Sequence, residues 1–287
     1  THGSITGAVN IMRAAGRKVA RAHLRYLNPF PKNLGEVLSR FDVIAIQEVQ
    51  SDTEALVALV TTLNAQGGDY RLIDGGEVAV EALAGLARQH DLWVVGGTIP
   101  VSIEGSDKVR SACFVMDNHG EVAGRYDKLH LFDVNLVDVE ENYKESTAIE
   151  PGDRPLVVET PFGNIGVAIC YDLRFPELFR SMLTMKPDII ALPSAFTAVT
   201  GRAHWEPLVR ARAIENLCYV IAAAQGGYHI SGRETWGHSM IVDPWGTILG
   251  ELPNGAGYVT ADLDIDLLRT TRRNFPSLDH RRIRCQL

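Results

Sequence analysis

A chain of 287 residues, 46% of them hydrophobic, is long and apolar enough to bury a substantial core, which excludes a disordered or fibrous polypeptide. Its net charge of −7 is modest and spread out, so the chain as a whole offers no basic footprint for nucleic acid. The longest apolar runs, around 188–193 and 220–225, break after a handful of residues, too few to span a bilayer, and no membrane partner is expected.

Residues 1–16 lack the basic start, apolar middle and small-residue cleavage site of a secretory leader, so the expected location is cytoplasmic. In chain order, the first clear element is a buried strand over 42–47, rich in β-branched residues, which leaves Glu48 at its C-terminal end. Helical patterns over 52–65 and 77–90 follow, then a strand over 92–96. Arg125 to Phe132 places Lys128 just after an apolar hairpin, an unusual position for lysine unless its charge is used or paired. A strand over 165–169 runs into Cys170 and a turn. A helix over 176–185 comes next, opening with Pro176 and Glu177, a favourable pair for a first helical turn.

A strand over 188–192, a helix over 205–216 and a strand over 218–222 continue the alternation, which reads as an α/β protein. Beyond Trp236 the pattern changes to hairpins, with runs over 238–243 and 247–250 joined by Pro244, Trp245 and Gly246. Proline fixes φ there and glycine permits φ > 0. The arginines at 269, 272, 273, 281, 282 and 284 read as a solvated or interface surface rather than a nucleic-acid patch. No repeat or long linker divides the chain. One domain over 1–287 is expected, with an atypical segment 1–74 and a tail from about residue 264 that packs elsewhere.

Cys113, Cys170, Cys218 and Cys285 lack zinc-site spacing and disulfide density, so reduced thiols are expected, and no metal or other cofactor is called for. By position alone, Cys170 reads as one more buried small hydrophobe, the common fate of a lone cysteine. A strand-to-helix turn also suits a nucleophile, because backbone N–H groups there favour the thiolate and can meet an oxyanion. Glu48 and Lys128 are each explained as solvated charges at strand ends. Taken together, Glu48, Lys128 and Cys170 form a coherent set for cleaving an unactivated C–N bond: a thiolate attacks the carbonyl, a carboxylate moves protons, and a cation meets the developing oxyanion.

Several longer motifs sharpen this reading. They are Lys128-Leu129-His130-Leu131-Phe132, the run from Ile169 through Cys170, Tyr171 and Asp172 to Glu177, the run from Pro193 to Thr197, His204-Trp205-Glu206, the run from Arg210 to Asn216, and the run from Gly237 to Gly246. Over about residues 75–282 the chain resembles the carbon-nitrogen hydrolase (nitrilase) superfamily, in its branch of deaminated glutathione amidases. That resemblance implies a four-layer α-β-β-α sandwich and a small linear amide as substrate, hydrolysed to carboxylate and ammonia through a cysteine thioester. Cys170 would be the nucleophile, Lys128 the oxyanion stabiliser and Glu48 the general base.

By the same resemblance, Glu145 orients the lysine or the substrate, and the backbone N–H of Tyr171 completes the oxyanion hole. Arg174 binds a substrate carboxylate or holds Glu177, Phe196 contacts substrate, and His130 and Trp205 either line the pocket or pack the core. A homodimer or larger homo-oligomer is also implied. The N-terminal quarter departs from the pattern. Residues 19–38 resemble the C-terminal region of the α subunit of 2-oxoacid:ferredoxin oxidoreductases. Residues from 41 to about 72 resemble the endonuclease/exonuclease/phosphatase superfamily, with 42–49 reading like its first metal-binding strand, so the chain reads as a mosaic.

Two other functions follow from that departure. One is an inactive nitrilase-fold scaffold, in which the unusual N-terminus misplaces Glu48. The other is a magnesium-dependent nuclease or phosphatase built on Gln47-Glu48 and Ser277-Leu278-Asp279-His280. Substrate choice is expected to reside in loops over 132–147 and 197–205.

Overall fold

The computed structural model describes residues 75–136, 141–229, 233–255 and 257–283. The strand over 42–47, the helix over 52–65 and Glu48 therefore lie outside the described residues, as does Cys285. A helix α1 (Gly75–His90) leads into strands β1 (Val94–Val95), β2 (Ile99–Ser102), β3 (Val109–Met116) and β4 (Val122–Asp127), which form one antiparallel sheet with β3 between its neighbours. A short hairpin of β5 (Asp133–Leu136) and β6 (Glu141–Lys144) follows. Next come β7 (Leu156–Thr160), β8 (Gly163–Val167), helix α2 (Pro176–Met182), β9 (Ile189–Ala191), helix α3 (Ala198–Asn216) and β10 (Tyr219–Ala222). A second hairpin, β11 (Gly226–Tyr228) with β12 (Glu234–Trp236), precedes β13 (Ser239–Val242), β14 (Ile248–Leu252) and helix α4 (Ile265–Asn274).

The second sheet has the order β14-β13-β10-β9-β8-β7, with β8, β9 and β10 parallel and the flanking pairs antiparallel. The parallel strands are buried, which is why Ile189, Ile190 and Ala191 form an unbroken apolar run. Strand β3 shows how the layers stack. Cys113 and Val115 point toward the second sheet and share a core with Val158, Ile165 and Val167, while Ala112, Phe114 and Met116 point the other way onto Ala87 and Leu83 of α1. Period-2 alternation on one strand thus feeds two cores. On the far side of the second sheet, Phe179 and Met182 of α2 and Trp205, Val209 and Ala213 of α3 cover the outer face. Helix, sheet, sheet and helices stack in four layers.

Helix α3 begins seven residues before the expected start at Trp205. Pro207 suggests a first-turn residue, since a proline further in removes a backbone hydrogen bond, yet the helix runs through it. The expected specificity loop over 197–205 is therefore mostly helix, and much of the loop over 132–147 is the β5–β6 hairpin. The Pro244–Gly246 turn forms as expected, with Gly246 at φ +86° and Asp243 Oδ1 accepting from the Trp245 and Thr247 N–H groups. The segment from residue 264 packs back onto the body. Asp264 caps α4, Leu268 is fully buried, and the Arg272 guanidinium reaches Leu217 O, Pro187 O and Asp188 Oδ1.

Gly201 marks the closest approach of α3 to β12, because a Cβ added there would lie 2.2 Å from Trp236 Cβ. Gly201→Ala is expected to destabilise the fold despite a gain of about 1 kcal/mol in helix propensity, since overpacking of this kind costs about 1–3 kcal/mol. A urea midpoint at or above that of the unsubstituted protein would contradict the tight contact.

Candidate active site

Cys170 sits where the chain leaves β8. The Ala168 N–H still bonds to Ala191 O, and the Cys170 N–H bonds to Pro193 O at 2.9 Å, so the segment stays alongside β9 until the turn. There the backbone bends sharply. Ile169 is extended, Cys170 has φ +48°, and a 3₁₀ turn (Cys170–Arg174) leads toward α2. A left-handed cysteine costs free energy and is held only where its surroundings enforce it, and such strain gathers at functional sites. Cys170 is partly exposed and lines a cavity of about 370 Å³.

Lys128 enters the same cavity from the other sheet. It follows the last residue of β4, and its N–H extends the ladder to Ser111 O. Its side chain is only 2% exposed, and its Nζ lies 2.7 and 2.6 Å from the two carboxylate oxygens of Glu145. Glu145 is held in turn by the Phe132 N–H, which donates to Oε2 at 2.6 Å. A buried ammonium gripped by both oxygens of one carboxylate is fixed in place, and removing either partner would strand a charge.

Asp172 ties the two sides together. Its carboxylate is fully buried and accepts from the Tyr126 hydroxyl at 2.7 Å, the His130 N–H at 3.0 Å and the Ile169 N–H at 2.9 Å, with His130 Nδ1 2.7 Å away. Tyr126 lies two residues before Lys128, His130 two residues after it, and Ile169 directly before Cys170. One carboxylate therefore fastens the lysine segment to the cysteine turn. Burial, together with the Asp172 charge, pushes the Tyr126 hydroxyl well above its usual range, so it stays a donor.

The cavity wall is aromatic and cationic. The Tyr171 ring packs edge-on against Phe132 and Phe175. The Arg174 guanidinium stands 5.1 Å from the Phe196 ring centroid and 5.8 Å from that of Tyr171, and donates to His204 Nδ1 at 3.1 Å. Burial lowers the Arg174 pKa, the sign of a cation drawn partly out of water. Among the described residues no group of three or more His, Cys, Asp and Glu side chains converges in a way that could hold a metal ion.

The carbon-nitrogen hydrolase family profile matches residues 61–273. The chain belongs to that family. It is an α/β carbon-nitrogen hydrolase of the nitrilase type, acting on amides. It is 44% identical over 198 residues to the deaminated glutathione amidase of Yersinia enterocolitica, a match covering 69% of each protein. Among solved structures it is similar to Saccharomyces cerevisiae Nit3, a member of branch 10 of the nitrilase superfamily, at 33% identity and TM-score 0.64, covering 71% of this chain and 72% of the other. An amidase from Nesterenkonia sp. AN1, bearing the acetamide moiety of fluoroacetamide on its active-site cysteine, aligns with TM-score 0.58 at 28% identity, covering 70% of this chain and 74% of that one.

In this carbon-nitrogen hydrolase, Lys128, Glu145, Cys170, Tyr171, Arg174 and Phe196 all border one cavity. Glu48 lies outside the described residues. His130 and Trp205 are not among the described residues that line this cavity, and of the two expected roles each shows packing. His130 is committed to Asp172 and stacks on Phe175 with ring centroids 3.7 Å apart. Trp205 is fully buried, donates from Nε1 to His238 O, and packs under Phe196. Arg174 contacts rings and a histidine; no ion pair with Glu177 is found. Cys113 and Cys218 are fully buried, and burial pushes both thiols up to about 12, which makes them inert. Asp172 and Arg233 were not anticipated. Asp172 stands inside the cysteine motif, where an acid two residues from a nucleophile is a usable signal, whereas Arg233 has none.

Proposed function

We propose that the protein hydrolyses a small linear amide, deaminated glutathione or the ω-amide of a 2-oxo acid, through a thioester on Cys170. The observation that carries this reading is Cys170 on a left-handed turn, opening into the cavity where Lys128 is clamped by both oxygens of Glu145. Glu48 is assigned as the base. Its carboxylate takes the Sγ proton, sulfur bonds to the carbonyl carbon, and the resulting oxyanion is met by Lys128 and the Tyr171 N–H. The proton then passes from Glu48 to nitrogen and the C–N bond breaks, releasing ammonia from a primary amide or an amine from a substituted one. Water, deprotonated by the same carboxylate, attacks the thioester, and the C–S bond breaks to give the acid and the free thiol.

Glu145 suits the task of holding the lysine rather than moving protons, because Lys128 and the Phe132 N–H already occupy its oxygens. Arg174 and Phe196 are assigned to substrate binding. A cytoplasmic homodimer or larger homo-oligomer completes the proposal, and the segment 1–74 is read as atypical, with the family match beginning at residue 61. The magnesium-hydrolase alternative is not favoured, since the profile that matches is that of carbon-nitrogen hydrolases.

The test is release of ammonia or amine from a panel of ω-amides and deaminated glutathione, with and without EDTA. Turnover unaffected by the chelator is expected. A complete lack of turnover across the panel by a folded protein would point to the inactive scaffold, and loss of activity with EDTA to metal chemistry.

A further inference from the structure

Charge along the cavity wall is unbalanced. Four cationic side chains, Lys128, Lys144, Arg174 and Arg233, border it, and among the described residues the only carboxylate there is Glu145. That carboxylate is already committed to Lys128. The two guanidiniums are left with no acid among the described residues. Arg174 rests on aromatic faces and a histidine nitrogen.

Arg233 is the more telling of the two. It lies directly before β12, where the Trp236 N–H bonds to Phe196 O and Thr235 bridges to Thr197, so the hairpin is laced to the segment that forms the cavity wall. Its Nη2 donates to Ala195 O, and its guanidinium stands 5.3 Å from the Tyr143 ring centroid. The Nε–H is buried with no hydrogen-bond partner among the described residues. A carbonyl and a ring hold this group in place, yet neither neutralises it, and one donor is left unsatisfied. Buried donors are nearly always paired, and guanidinium is the side chain best matched to a carboxylate.

We propose that Arg233 is a specificity-determining residue that receives a carboxylate borne by the substrate at its end remote from the scissile amide. This rests on the amidase reading above, whose named substrates carry a carboxylate, and assigns the residue that recognises it. Orientation follows: the amide carbon lies at Cys170, and the anionic end reaches across the cavity toward the β11–β12 hairpin. A neutral amide of the same chain length can occupy the cavity but leaves the guanidinium unanswered.

The test compares kcat/KM for glutaramate and for neutral pentanamide. It is run on the unsubstituted protein, Arg233→Gln and Arg233→Lys, each checked for a cooperative melt. The unsubstituted protein should prefer glutaramate. Arg233→Gln should reduce that preference by about tenfold to a hundredfold, mainly through KM, as expected for loss of a charge-assisted hydrogen bond. Arg233→Lys should restore part of it. An equal loss on both amides, or no preference in the unsubstituted protein, would overturn the proposal.

A second readout does not depend on turnover. Glutarate should protect Cys170 from iodoacetamide, followed by mass spectrometry of the Cys170 peptide, and Arg233→Gln should raise the half-protecting concentration by a similar factor. If neither amide is hydrolysed and the panel of ω-amides and deaminated glutathione also gives no turnover, the amidase reading fails. An unchanged half-protecting concentration would then dispose of the role of Arg233 as well.

Discussion

Cys170→Ala is expected to abolish amide hydrolysis, with kcat falling by about 10⁴-fold or more, as when the proposed nucleophile of a cooperating set is removed. The fold survives, because alanine has the same backbone preferences as cysteine at φ +48° and Cys170 contributes only partly buried surface. Melting temperature and the circular dichroism spectrum should therefore match those of the unsubstituted protein. Iodoacetamide sharpens the result. Cys113 and Cys218, fully buried and with thiols pushed up to about 12, stay protonated and unreactive near neutral pH, so alkylation of the described cysteines falls on Cys170. Wild-type turnover by the alanine variant would remove Cys170 from the chemistry altogether.

Lys128→Ala carries the second large effect, and it acts in two places. In the proposed mechanism the cation facing the oxyanion disappears, which costs roughly 10²–10³-fold in kcat for a single such donor. The Glu145 carboxylate also loses both contacts to Nζ while only 9% of its side chain is exposed, keeping the Phe132 N–H as a partner. Stranding a buried charge in this way costs about 3–5 kcal/mol. Chemical denaturation should show the loss, and Lys128→Ala combined with Glu145→Gln should recover a large part of it while leaving kcat low. Recovery of stability without activity separates the two contributions. If the double variant is no more stable than Lys128→Ala alone, the buried pair does not carry the energy assigned to it.

Much of the layered fold was legible because parallel buried strands announce themselves as unbroken apolar runs, as at Ile189, Ile190 and Ala191, and because Pro176 and Gly246 punctuate at positions their backbone chemistry favours. Cys170 and Lys128 could be singled out only in combination and through the longer motifs around them, since by position alone one reads as a small hydrophobe and the other as a solvated charge. Other parts were hidden for physical reasons. The first turns of α3 carry Thr200 and Gly201, weak helix formers, ahead of a proline, so local preference argued against a helix that tertiary packing against Trp236 and Phe196 supports. The roles of His130 and Trp205 depend on partners far along the chain, 42 residues away for His130 and Asp172, which no local pattern discloses. Arg233 is an arginine in a polar hairpin until its neighbours across the cavity are known.

The Asp172 knot also bears on how this protein can diversify. Its donors come from stretches on both sheets, so it fastens the backbone that carries Lys128 to the turn that carries Cys170, while Glu145, just past β6, holds the ammonium itself. Other side chains around the mouth can be exchanged for others of different size or polarity while the proposed reacting pair keeps its alignment. New selectivities are accordingly best sought by varying the two hairpins, with the aspartate, its ring of donors, Phe132 and Glu145 left untouched.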